Sequence, residues 1–185
     1  MSSRENKLLA LNTMHLGSTR NLIARQTRQA SVELLDGAIA TAMDLALAAR
    51  QAQWNVQGSA FTSLHRLFAE ISNELEAAAT SLADRAAALG GIPRAVAHSI
   101  AGASRLKPYP VLGLDDREHI EELASRAAEF ATELRLSIYE LERHADPVTA
   151  HLLTLACGRV EAILCRLEGH LPSHDGDHLF PARSA

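Results

Sequence analysis

Three long stretches of this chain place an apolar residue at every third or fourth position, and that period constrains the fold more than any other feature. Val32, Leu35, Ile39, Met43 and Leu47 make the first stripe. Leu64, Leu67, Phe68, Ile71, Leu75, Leu82 and Leu89 make the second, and Ile120, Leu123, Ala127, Phe130, Leu134, Ile138 and Leu141 the third. Such spacing keeps side chains on one face of an α-helix, and a helix with that face must bury it against a partner. The punctuation agrees. Ser31 is a plausible N-cap and Gly58 a natural stop for a first helix from about Ser31 to Gln57. A second helix, near Ala60 to Leu89, ends at Gly90-Gly91. Asp115 with Glu118 three residues on forms a capping box for the third, and Asp146-Pro147 opens a fourth that runs to about Leu171.

The segment 92–114 breaks the period with Pro93, Pro108, Pro110, Gly102 and Gly113, leaving room for one short helix across Arg94 to Ser104. A connection this long permits a crossover, whereas a short turn would force antiparallel neighbours. Aromatic residues are only 4% of a chain that is 47% apolar, which suits close-packed helices better than a β-sandwich. The expected fold is therefore all-α: a ferritin-like four-helix bundle with a long crossover between the second and third helices. At 185 residues this is one domain, with residues 1–30 expected as a flexible arm, 31–171 as the bundle and 172–185 as a disordered tail.

A net charge of −4 argues against a globally basic nucleic-acid binder. The arm is different, because Arg4, Lys7, Arg20, Arg25 and Arg28 stand there against the single acid Glu5, a combination suited to phosphate backbones. The polar opening MSSRENKLLA does not resemble a signal peptide, and no apolar run was expected to approach the roughly 18 residues of a membrane span. Cys157 and Cys165, eight residues apart on one helix, are separated by about 12 Å, too far to bridge within the chain. Two reduced thiols point to the cytosol. In the tail, His174, Asp175, Asp177 and His178 offer metal donors but read as a solvated segment.

The segments VELLDGAIATAMDLALAARQAQWNVQG, FTSLHRLF, ADRAAALGG, SRLKPYP and DPVTAHLLTLA, in this order and behind a basic arm, resemble Dps, the DNA-binding mini-ferritins, over roughly residues 30–172. That resemblance implies a homo-oligomer, a hollow twelve-subunit shell. It also implies an iron site at a two-fold interface, with two histidines from one subunit and an Asp and a Glu, four residues apart, from its neighbour. Imidazoles and carboxylates suit ferrous iron because the anionic oxygens offset its charge.

Carried over position by position, the first histidine is Gln53, the second is His65, the aspartate is Thr80 and the glutamate is Asp84. One ligand in four is retained, and the formal ligand charge falls from −2 to −1. A neutral amide oxygen replaces an imidazole nitrogen, a hydroxyl replaces a carboxylate, and the remaining carboxylate is a methylene shorter. Glu76 shares a helix face with Thr80 and Asp84, so His65, Glu76 and Asp84 could build a displaced site; otherwise Glu76 is solvated or paired with an arginine. Cys165 stands where the family often has tryptophan. Near the expected three-fold pore, Asp146 is kept, while His151 replaces an acid.

Two functions follow as expectations. One is a ferroxidase that stores iron, supported by the resemblance and opposed by the three substitutions. The other, favoured by the residues, is a shell whose iron-oxidising centre is lost or weak, with DNA contacted by twelve copies of the arm. That protein would be cytoplasmic, and nucleoid-associated if it binds DNA. Co-assembly with an intact paralogue would be a third role.

Overall fold

The computed structural model describes residues 16–171 and contains five helices: α1 (Arg25–Asn55), α2 (Phe61–Ala88), α3 (Ala97–Ala103), α4 (Asp116–Arg143) and α5 (Pro147–Glu168). The two main pairs are α1 with α2 and α4 with α5; α1 also packs on α4, and α2 on α5. Long-range bonds fix the directions. Ser31 at the start of α1 meets Asp146 at the start of α5, Thr41 meets Glu133 in mid-helix, and Gln57 just past α1 meets Asp116 at the start of α4. The four long helices are thus antiparallel to the neighbours they pack on, whereas the connection carrying α3 runs along α1 in the same direction, from Arg94 beside Asp36 to Ser104 beside Asp44. This is the all-α, ferritin-like bundle with the expected crossover.

The stripes form most of its core; Leu47 is the exception, 52% exposed, with Leu45 buried in its place. Leu35, Ile39, Phe68, Ile71, Leu75, Leu123, Phe130 and Leu134 are all essentially inaccessible, with Leu153, Val160 and Ile163 contributed by α5. The local signals at three helix ends act as expected. Asp115 accepts from the Glu118 amide while Glu118 caps back onto Asp115. Asp146 accepts from the Thr149 amide with Pro147 opening α5. Gly90 closes α2 at φ +86°, with the Gly90 amide on Ala87 and the Gly91 amide on Ala86. That is the paired-bond glycine stop, which a side chain would strain.

Three expectations are corrected. The first helix begins at Arg25 rather than Ser31, with Ala24 at the N-cap and no side-chain cap. Ser31 lies buried inside α1, where its hydroxyl donates to Asp146 at 2.8 Å. The early start is a tertiary effect. The Arg28 guanidinium donates to the carbonyls of Ile23 and Leu89, and Leu16 joins the core while the Gly17 amide reaches the Gly90 carbonyl. The segment 16–30 is therefore laid onto the end of α2 and continues into α1; residues 1–15 and 172–185 lie outside the described residues. The final helix also ends sooner than expected, at Glu168. Its length and apolar composition would suffice to cross a membrane, contrary to the expectation. Here one of its faces is committed to the bundle through Leu153, Cys157, Val160, Ile163 and Leu167.

Candidate metal centre

The end of α1 and the start of α2 are joined by a five-residue turn in which Gly58 sits at φ +79°, so Gln53 and His65 are brought face to face. Gln53 Nε2 lies 3.4 Å from His65 Nε2. With the imidazole proton on Nδ1, the amide donates to the lone pair a metal would require. The Phe61 ring covers His65 at a centroid distance of 5.2 Å, tilted by 36°. Gln53 Oε1 is buried without a hydrogen-bond partner. A buried amide oxygen left unpaired is costly, and an N–H, a water or a cation from a second copy would satisfy it.

The other positions lie far along α2. At 1.5 Å per residue, Thr80 and Asp84 are displaced from His65 by about 22 and about 28 Å. One chain therefore does not bring His65 and Asp84 together; any shared site draws them from two copies. The Thr80 hydroxyl donates to the Glu76 carbonyl of its own helix at 2.9 Å, a local bond that satisfies it without a ligand. Asp84 is exposed.

Glu76, the carboxylate of the displaced-site alternative, is engaged. Its Oε1 accepts from Arg50 of α1 at 3.0 Å and from the Ser72 hydroxyl at 3.3 Å, and the same guanidinium reaches Asn73 Oδ1 at 3.3 Å. Arg50 was missed by reading the sequence, although it lies three residues before Gln53 on the same helix face. Among the described residues no three His, Cys, Asp or Glu side chains cluster to hold a metal within one chain.

The expected pore residues divide. Asp146 is fully buried, and it accepts from Ser31, the Thr149 amide, the Thr149 hydroxyl and Arg85. Burial pushes its carboxyl up, but those donors and the Arg85 charge outweigh burial and hold it below the ordinary range. The pore assignment for Asp146 is corrected accordingly: a carboxylate with every oxygen engaged inside the bundle has none to offer a channel. His151 is exposed on the first turns of α5. Both thiols are free, Cys165 exposed and Cys157 buried near the Ala131 carbonyl and Glu161, where burial raises its pKa.

Of the arm's cations, Arg4 and Lys7 lie outside the described residues, Arg20 and Arg25 are exposed, and Arg28 is buried. Arg28 is hence withdrawn from the candidate DNA contacts, because its guanidinium is spent on the Ile23 and Leu89 carbonyls.

Comparison with known proteins gives a consistent relationship. The ferritin-like domain family matches residues 32–157. The DNA protection during starvation protein of Agrobacterium fabrum is 28% identical over 158 residues, covering 85% of this chain and 98% of that protein. The Dps structure from Mycobacterium smegmatis superposes with a TM-score of 0.81 at 25% identity, covering 87% of this chain and 98% of the other. A Dps structure from Deinococcus radiodurans gives 0.76 at 25% identity, over 81% and 90%.

Proposed function

We propose, from the premise that this chain belongs to the ferritin-like family and is a mini-ferritin of its Dps branch, that it forms a shell that sequesters iron and protects DNA, without the family's fast iron-oxidising centre. The shell is a homo-oligomer of twelve subunits in the cytoplasm. Iron is its cargo, and slow mineral growth on interior carboxylates is compatible with that role.

The observation that carries the reading is the Gln53–His65 contact. A centre that oxidises two ferrous ions needs anionic ligands to hold them and to stabilise the added charge of the ferric state. Here an amide faces the retained imidazole, Thr80 is turned back onto its helix, and Asp84 is the sole carboxylate at the matched positions. This donor set does not fit a di-iron pair. The orphaned Gln53 oxygen is a neutral donor and adds no negative charge to the set. The displaced alternative of His65, Glu76 and Asp84 is weakened further by the bond from Arg50 to Glu76.

DNA contact through Arg4, Lys7, Arg20 and Arg25 completes the proposal, with binding that falls steeply with salt and has little sequence preference. The central test is stopped-flow oxidation of ferrous iron by peroxide, comparing the parent with the triple variant Gln53→His, Thr80→Asp, Asp84→Glu. The variant is expected to oxidise iron much faster. A parent already as fast as an intact mini-ferritin refutes the reading.

A further inference from the structure

The groove between α1 and α2 holds a fixed cation where a metal site has lost its acids. We propose that Arg50 is the specificity-determining residue of this face: it ties up Glu76, one helical turn before Thr80, and opposes divalent cations there, so that this carboxylate is unavailable for metal. The inference rests on the preceding reading that the family's centre is lost here, and it assigns what stands in its place.

Geometry carries the argument. The Arg50 guanidinium bridges Asn73 Oδ1 at 3.3 Å and Glu76 Oε1 at 3.0 Å, while Ser72 donates a second bond to the same carboxylate oxygen. Arg50 comes from α1 and the three acceptor-side residues from α2, so the clamp forms within one subunit before a second copy delivers His65. Glu76 lies about 16 Å along α2 from the chain's own His65, so a site joining Glu76 to that histidine position draws the imidazole from a second copy. An arriving divalent ion would have to displace the guanidinium from the carboxylate it holds. It would also sit within a few ångströms of that positive charge.

The size of the effect follows from exposure. The Arg50 and Glu76 side chains are 29% and 47% exposed, so the pair itself contributes little, and breaking it is a small barrier. The larger part is the lost ligand, because a doubly charged ion meets at Glu76 a carboxylate whose charge the guanidinium already offsets. Replacing Arg50 by a neutral residue should therefore tighten divalent-metal binding about tenfold or more.

The experiment is zinc titration by calorimetry of metal-free, full-length protein at fixed concentration and salt. The set comprises the parent, Arg50→Gln, Arg50→Lys and the double change Arg50→Gln/Glu76→Gln. Arg50→Gln should bind zinc at least about tenfold more tightly than the parent, Arg50→Lys should stay near the parent, and the double variant should lose the gain. An Arg50→Gln protein no tighter than the parent overturns the assignment, as does a gain that survives loss of Glu76. Failure here is separable from failure of the preceding reading. Fast ferrous oxidation by the parent refutes the lost centre regardless of Arg50, whereas unchanged zinc binding refutes Arg50 alone.

Discussion

Replacing Asp146 by alanine should be among the most damaging single changes in this bundle. Its carboxylate is fully buried and accepts four hydrogen bonds, from Ser31 Oγ at 2.8 Å, the Thr149 amide at 3.1 Å, Thr149 Oγ1 at 2.6 Å and Arg85 at 2.9 Å. The change removes an N-cap, worth about 1 kcal/mol. It also takes the carboxylate partner from the Arg85 guanidinium, 15% exposed and left with its bond to the Thr149 hydroxyl, and removing one partner of a buried pair costs about 3–5 kcal/mol in total. Asp146→Asn keeps one accepting oxygen and should cost less, about 2 kcal/mol. The folded carboxyl is held below its ordinary value, so its contribution is fully present above the unfolded pKa near 4 and is lost as pH falls through the lower folded value. The gap between parent and Asp146→Ala should hence be constant from neutrality to about pH 4 and narrow below it. Urea unfolding followed by circular dichroism measures this, with protein concentration fixed because assembly adds to apparent stability. A loss under about 1 kcal/mol for Asp146→Ala would show that the network is incidental and refute the reasoning.

Gly90→Ala should destabilise by about 2 kcal/mol in the same assay, because a left-handed alanine is strained and its Cβ would lie 2.8 Å from the Gly17 carbonyl oxygen. Glu133 is buried between Thr41 and Arg105, and burial raises its pKa against those two partners. Its raised value means that stability is lost as pH rises through the folded pKa, so Glu133→Gln should flatten that part of the pH–stability curve; an unaltered curve would count against it. Deleting residues 1–15 should weaken a DNA gel shift while leaving assembly intact by sedimentation. Deletion through Arg28 should also lower the melting temperature, since it removes Leu16 and the Leu89 carbonyl's donor. Equal melting temperatures for the two deletions would dismiss the anchoring role of residues 16–28.

The sequence by itself determined those parts of the protein governed by neighbours on the chain. Apart from the exposed Leu47, the apolar stripes became the core faces of α1, α2 and α4, and Asp115–Glu118, Asp146-Pro147 and Gly90 marked helix ends because capping is complete within four or five residues. The positions matched to the family's ligands, Gln53, His65, Thr80 and Asp84, came from the resemblance, and a single chain brings only Gln53 and His65 together. Tertiary structure decided the remainder. Ser31 looked like a cap, but a carboxylate 115 residues away takes its hydroxyl into the core. Arg28 looked like part of a loose arm, but the carbonyl of Leu89, 61 residues on, draws it inward and starts α1 early. Arg50 showed nothing in the sequence beyond its place near Gln53, and its partner Glu76 is set only by the packing of α1 on α2. Such bonds depend on which helices become neighbours, a choice made by burial of whole faces rather than by any local signal.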